Sequence, residues 1–255
     1  MKLAPFALAT PFALAAIAAL AAGPVAAFDI AKMTDAERAA FQTEIRSYLL
    51  AHPEVLDEMA NALDAQKAET QAVVDRDLVS ANRADLDSDP ASYVGGNPEG
   101  DLTVVEFIDY RCGYCRKAHG EVAELVRSDG NIRYVVKEYP ILSEQSVMAA
   151  RVAIAVLREL GPEAYAKVNA GFYESFRGDI TDTTVAAFLT GLGLDAERVM
   201  AHANDAEVTQ ILRDNHDLAK RLQIQGTPTF VIGDTMLRGY APLDHMRQLV
   251  SGERG

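Results

Sequence analysis

Val105-Glu106-Phe107-Ile108-Asp109-Tyr110-Arg111-Cys112-Gly113-Tyr114-Cys115 is the stretch on which the fold turns. Its first residues belong to an apolar run rich in β-branched side chains, Leu102 to Ile108, which reads as a buried strand. Its last residues open an amphipathic helical pattern from Cys112 to Arg127. The two cysteines therefore sit where a strand gives way to a helix. Amides and the macrodipole at a helix start stabilise an anion. Cys112 is accordingly expected to have a lowered pKa and to exist partly as thiolate, the nucleophile that attacks a disulfide. Cys115, one turn further on, faces inward and resolves the mixed disulfide.

The chain has only these two cysteines. A structural disulfide gains most by closing a long loop, and one spanning only Gly113 and Tyr114 constrains almost nothing in the unfolded chain. The competing reading of the pair is half of a zinc site. A structural zinc needs four ligands, and the five histidines make no HxxxH pair or close cluster. The order strand, Cys-x-x-Cys, helix favours redox chemistry. No metal is expected, and no cofactor beyond the redox-active disulfide Cys112–Cys115.

Glu106 interrupts the apolar run. A carboxylate in a buried strand is costly unless it is protonated or paired, and burial raises its pKa. It lies a few residues before the cysteines, where it can sit under Cys115 and shuttle its proton. The alternative is an edge strand with Glu106 in solvent, against which the apolar residues on both alternating faces argue. Lys137, at the end of the next strand, is its candidate partner. The third element is Gly226-Thr227-Pro228-Thr229-Phe230. A proline opening a strand is usually an ordinary turn residue. Here a cis Thr227–Pro228 bond would expose the Thr227 backbone beside Cys112, where an extended substrate adds as a short strand. Thr227 and Pro228 are thus the expected substrate-binding residues.

Further out, Ile132 to Val136 reads as a second strand, and from Glu144 to about Leu222 the pattern is helical throughout. Thr229 to Ile232, a turn at Gly233-Asp234 and Met236 to Arg238 make a hairpin, and Pro242 to Val250 a closing helix. Upstream, the turn-rich stretch Gly95 to Gly100 reads as a linker. Before it, Thr34 or Asp35 caps a helix carrying Phe41, Ile45, Tyr48 and Leu49. Pro53 restarts a second, with Val55, Leu56, Met59 and Leu63 in its stripe. After a polar stretch, Asp64 to Gln71, Val73, Val74 and Leu78 resume it. So narrow a stripe either docks on the main domain or pairs with copies of itself. At the start of the chain, Lys2, the apolar stretch Leu3 to Leu20, the breaker Gly23-Pro24 and then Val25-Ala26-Ala27 follow the secretory pattern, with an uncleaved anchor as the alternative. The expected parts are a signal peptide over 1–27, a helical region over 28–90, and a catalytic domain over 91–255 with a helical insertion at about 144–222.

Taken together, the Cys112 stretch, Lys137-Glu138-Tyr139-Pro140-Ile141-Leu142 and Gly226 to Gly233 resemble the DsbA family of periplasmic oxidoreductases, over about residues 97–252. The resemblance implies an α/β thioredoxin fold with a helical insertion. It implies Cys112 as the attacking thiol, Cys115 as the resolving one, Glu106 as the buried acid and Pro228 as the cis-proline. The chain departs from DsbA oxidases between the cysteines. Those carry Pro-His, whose histidine strengthens the thiolate, whereas Gly113-Tyr114 resembles the dipeptide of the DsbC isomerases. Thr227 before the proline also resembles isomerases and reductases. The helices from Thr34 to Leu86 resemble the region preceding the catalytic domain in suppressor-of-copper-sensitivity C and Com1-type proteins. In some of that group this region trimerises the protein and makes it an isomerase; others are monomers.

A formal net charge of -13 argues against nucleic acid, whose affinity rests on Lys and Arg at phosphates. The expected activity is thiol–disulfide interchange in the periplasm, as isomerase, reductase or oxidase. The expected partners are unfolded or misfolded secreted proteins, a membrane redox partner that recharges the dithiol, and further copies of the chain in a homo-oligomer. The reading from another class is a copper-handling or chaperone-like protein that binds through the same thiols, since thiolates suit Cu(I). The lack of a Met- or His-rich cluster near them counts against a dedicated carrier.

Overall fold

A computed structural model describes residues 30–255, so the signal-peptide reading of 1–27 lies outside the described residues. The chain packs as two compact units, one ending at Asn61 and one of Ala62–Gly255. In the first, α1 (Asp35–Ala51) starts in a capping box. Thr34 Oγ1 accepts from the Glu37 N–H, and the Glu37 carboxylate accepts from the Thr34 N–H at 2.9 Å. None of the residues of α1 is buried, and Phe41, Ile45 and Tyr48 are exposed. The second helix, α2 (Glu54–Ala81), begins after Pro53 and crosses from one unit into the other. It runs unbroken through the polar stretch Asp64 to Gln71. That stretch interrupts the apolar stripe but not the backbone, being composed largely of strong helix formers. A short helix, α3 (Arg83–Asp87), follows.

The second unit is organised by five strands: β1 (Tyr93–Gly96), β2 (Leu102–Ile108), β3 (Ile132–Glu138), β4 (Thr229–Ile232) and β5 (Thr235–Arg238). They form one sheet in the order β1-β3-β2-β4-β5. Only β2 and β3 are parallel. A parallel pair needs a crossover, which α4 (Gly113–Asp129) supplies. The helical insertion holds α5 (Glu144–Leu160), α6 (Pro162–Glu174), α7 (Asp182–Gly191), α8 (Ala196–His202) and α9 (Ala206–Arg221), and α10 (Leu243–Arg254) closes the chain.

Both faces of the central strand β2 are covered, which is why it reads as a continuous apolar run. Val104 lies with Val122 and Leu125 of α4 and Met246 of α10. Val105 and Phe107 lie with Leu218 and Leu222 on the α9 side and with Val79 and Leu86. The carboxyl-terminal end of α2 is thus part of the core of the second unit. Asp75 there is buried and takes a two-pronged contact from Arg238 of β5.

Two expectations change. The stretch from Gly95 to Gly100 is not a free linker: its first residues belong to β1, paired antiparallel with Arg133–Val136 of β3. Its glycines serve close approach rather than flexibility. At Gly96, φ is 68°, and a Cβ would stand 2.4 Å from the Ile132 carbonyl oxygen. Nor does Lys137 meet Glu106. In the parallel register Glu106 lies opposite Val136 and Lys137 opposite Phe107. Successive strand side chains alternate between faces, so the two charges are on opposite sides of the sheet. Lys137, 1% exposed, instead donates to the Asp89 carboxylate and the Asp85 carbonyl.

Removing one partner of a buried ion pair strands the other charge. Asp89→Ala is therefore expected to cost about 3 kcal/mol, read from urea unfolding at pH 7. Adding Lys137→Met to that variant removes the stranded ammonium and is expected to restore most of the loss; a double variant no more stable than Asp89→Ala would contradict the pairing.

Candidate active site

Cys112 is the N-cap of α4, and its Sγ accepts the Cys115 N–H at 3.4 Å. Both cysteines are free thiols. The Cys112 pKa is lowered to about 5, first by the hydrogen bond from the Cys115 thiol. Burial opposes this, while Thr227 and the backbone amides of Cys115 and Tyr114 add to it. Cys115, 1% exposed, is pushed far above its ordinary value, first by burial, then by donation to Cys112 and by the nearby Glu106 charge. One helical turn thus carries a thiol that ionises readily and one that does not ionise by itself.

Thr227 and Pro228 reach Cys112 from the start of β4. The Thr227–Pro228 bond is cis, and the Thr227 carbonyl oxygen lies 3.1 Å from Cys112 Sγ. The Thr227 hydroxyl is buried and, among the described residues, has no partner at ordinary hydrogen-bonding geometry. Glu106 sits in the central strand, 3% exposed, and accepts a hydrogen bond from the Tyr134 hydroxyl. Its pKa is raised to about 7, first by burial and further by the Cys112 charge, while Tyr134 pulls it down. The edge-strand alternative for Glu106 therefore does not hold.

The structure thus brings Cys112, Cys115, Glu106, Thr227 and Pro228 into one locality, with Tyr134 taking the place expected of Lys137. It also places around them side chains that sequence reasoning passed over. Asp109, just past β2, is buried, and its carboxylate accepts from the backbone N–H groups of Arg111, Ile141 and Leu142 at 2.8–3.1 Å. Glu138, at the end of β3, accepts from the hydroxyls of Tyr110 at 2.7 Å and Tyr165 at 2.6 Å, and burial pushes its pKa to about 8. Glu138 carries a signal like that of Glu106, an acid in a largely apolar strand, but it stands at the strand's end beside Lys137. Tyr134 gave no such signal, because tyrosine is ordinary in a strand and the register was unknown. Among the described residues, no group of three or more His, Cys, Asp or Glu side chains is placed to hold a metal ion.

Comparison with known proteins agrees with this geometry. Residues 88–251 match the thioredoxin family, and residues 37–69 match the copper resistance protein ScsC N-terminal domain. A thioredoxin-like oxidoreductase from Silicibacter pomeroyi DSS-3 is 39% identical with a TM-score of 0.63; the match covers 68% of this chain and 98% of that one. The thiol-disulfide exchange protein alpha-DsbA2 from Wolbachia pipientis is 26% identical with a TM-score of 0.67, covering 72% of this chain and 97% of that one. Among curated relatives, the Na(+)/H(+) antiporter NhaA 1 of Salinispora arenicola is 28% identical over 140 residues, which are 55% of this chain and 21% of the antiporter. The chain therefore spans about a fifth of that relative's length. With its Cys-x-x-Cys at a helix start, its helical insertion and its ScsC-type amino-terminal segment, the chain belongs to the thioredoxin family, on its DsbA-like side.

Proposed function

We propose that the protein carries out thiol–disulfide interchange on secreted proteins in the periplasm, through Cys112 and Cys115. The observation that carries this reading is the asymmetry of the pair: Cys112 ionises near pH 5, while Cys115 is held protonated beside a buried acid. The Cys112 thiolate attacks one sulfur of a substrate disulfide. A Cys112–substrate bond forms, and the other substrate sulfur leaves as a thiolate. Cys115 then gives its proton to Glu106 and attacks Cys112 Sγ. The Cys112–Cys115 disulfide forms, the second substrate thiolate leaves, and the substrate has gained the two electrons that the pair has lost. Run in reverse, the same steps oxidise the substrate. Attack and return without Cys115 isomerises it. A membrane redox partner that recharges the pair sets the net direction. Thr227 and Pro228 present the edge on which the substrate segment lies beside Cys112.

A copper-handling role is the second reading. It draws on the match of residues 37–69 to a copper resistance protein domain and on the affinity of thiolates for Cu(I). The depth of Cys115 and its raised pKa weigh against it, because a ligand must lose its proton to bind metal.

The apolar residues Phe41, Ile45 and Met59 of the first unit, and Leu63 and Val73 in the second, are exposed. Exposed apolar faces of this kind favour association, and closed cyclic symmetry is its usual form. A homo-oligomer would present several Cys112 thiols to one misfolded substrate, as isomerisation requires.

Alkylation of Cys112 is expected to follow a midpoint near pH 5, well below the roughly 8.5 of a free cysteine; a midpoint at the ordinary value would remove the nucleophile assignment. Release of the mixed disulfide should accelerate as pH rises toward about 7 and Glu106 loses its proton, the midpoint lying below that value because the Cys112 charge that raises it is absent in the mixed disulfide. In Glu106→Gln that inflection should vanish and release should slow by on the order of tenfold to a hundredfold; an unchanged pH profile would exclude the proton-acceptor role. Light scattering on residues 28–255 is expected to show an oligomer and on residues 75–255, which lack the exposed apolar residues up to Val74, a monomer, with isomerase activity lost in the shorter chain and simple thiol oxidation kept.

A further inference from the structure

The chain is strongly acidic, and many of its arginines are taken up by carboxylates: Arg158 by Glu207, Arg221 by Asp85, Arg238 by Asp75 and Arg254 by Asp101 and Asp129. Arg111, Arg116 and Arg177 are different. All three border one pocket of about 260 Å³, whose wall includes Tyr110, Phe172 and Phe176. Each is held by backbone carbonyls. Arg111 Nη1 donates to the Gly178 carbonyl at 3.1 Å, and Arg177 donates to those of Phe176 and Glu174 at 2.7 Å. Arg116 donates to that of Tyr173. A carbonyl orients a guanidinium without neutralising it. The acids nearby are engaged elsewhere: Asp109 by backbone N–H groups, Glu174 by His119 and Asp179 by Gln145. Among the described residues, none of the three arginines makes an ion pair. The repulsion is felt at Arg116, whose pKa is lowered first by burial and then by Arg177 and Arg111.

The position of the pocket gives this charge its meaning. Arg111 immediately precedes Cys112 and Arg116 immediately follows Cys115, so two of the three cations are carried by the residues that flank the dithiol. We propose that this pocket takes a carboxylate of the disulfide substrate, carried within a few residues of the cysteine under attack. The proposal rests on the redox reading above. A guanidinium fork matches a carboxylate with two parallel hydrogen bonds, and the aromatic wall accommodates the methylene groups behind it. An acidic substrate approaching a protein of net charge -13 meets repulsion at long range. A local cationic pocket beside the nucleophile offsets that repulsion and fixes the direction of approach.

The test uses four synthetic peptides, each holding one cysteine as a mixed disulfide with a chromogenic thiol. Two differ only in glutamate or glutamine two residues from the cysteine. Two neutral ones differ only in a free or amidated carboxyl terminus. Attack by Cys112 of the reduced protein forms the protein–peptide disulfide and releases the chromogenic thiolate, read by stopped flow. At low salt the carboxylate-bearing member of at least one pair is expected to react about tenfold faster, as a charge-assisted hydrogen bond gives. The advantage should fade near about 1 M salt. The pair that shows it identifies the carboxylate as side-chain or terminal. Arg177→Gln should bring the ratio down to about threefold or less, whereas Arg213→Gln, an equal change of charge on α9, should leave it as it was. Arg111→Gln provides a second variant at the pocket and should act as Arg177→Gln does. Equal rates within both pairs, or a ratio unchanged in both pocket variants, would overturn the carboxylate pocket while leaving the redox reading intact. A protein that attacks none of the four peptides would overturn the redox reading itself, and the pocket with it.

Discussion

The hydrogen bonds that Cys112 Sγ receives at the first turn of α4 are what the rest of the structure is arranged to hold. They require Cys112 to leave the strand in extended backbone and Gly113 to begin the helix at once. Asp109 fixes that turn. Its buried carboxylate takes the Arg111 N–H on one side and the Ile141 and Leu142 N–H groups on the other. The loop after β2 is thereby tied to the loop after β3. With three backbone N–H groups from two loops on one carboxylate, a single side chain holds both loops in register. Cys112 then stands where the Thr227 carbonyl faces it.

The same arrangement explains why the two cysteines differ. Cys115 lies a single turn from Cys112 and is buried in the cluster that holds Ile108, Tyr110, Phe172 and Tyr173, where an anion is unfavourable. Its proton leaves only if a base of similar depth receives it. Glu106, the acid proposed above to receive it, is raised to about 7 by burial and by the Cys112 charge, so each ionisation opposes the other. Glu138 is also raised by burial, yet two tyrosine hydroxyls hold it, and it lies among the packing of the helical insertion. Depth alone does not make an acid a proton carrier; what matters is which group faces it.

The elements nearest the chemistry were readable in the sequence because local patterns determine them. Leu102 to Ile108 alternates too little to be a half-exposed strand, and the structure buries it on both faces. Thr34 and Glu37 have the spacing of a capping box, and form one. What failed depended on pairing register, which no local pattern contains. The Lys137 assignment assumed that closeness in strand position meant one side of the sheet, and a one-residue offset reversed it. The stretch at Gly95 and Gly96 looked like a linker because glycines there suit a flexible chain. They equally suit an edge strand passing within van der Waals reach of its neighbour. The three arginines of the pocket were likewise invisible, since Arg177 is 61 residues from Arg116 in the chain and only the helical insertion brings them together.

The dipeptide between the cysteines suggested a weaker thiolate than that of a Pro-His oxidase, because no histidine is there to hold the charge. The surroundings supply what the dipeptide lacks. Donation from Cys115, the amides of Cys115 and Tyr114, and the nearby Thr227 together bring Cys112 to about 5. At pH 7 a thiol with that pKa stabilises the reduced pair by roughly 3 kcal/mol relative to an ordinary cysteine, which stays protonated there. For the Cys112–Cys115 couple this acts toward the oxidising end. Oxidising strength is therefore not set by the residues between the cysteines alone. A pair with Gly113-Tyr114 can hold a reactive thiolate by helix amides and the Thr227 loop, and it does so without adding a titrating imidazole beside the nucleophile. The titrating groups that remain coupled there are Cys112 and Glu106, since the Cys112 charge raises the Glu106 pKa.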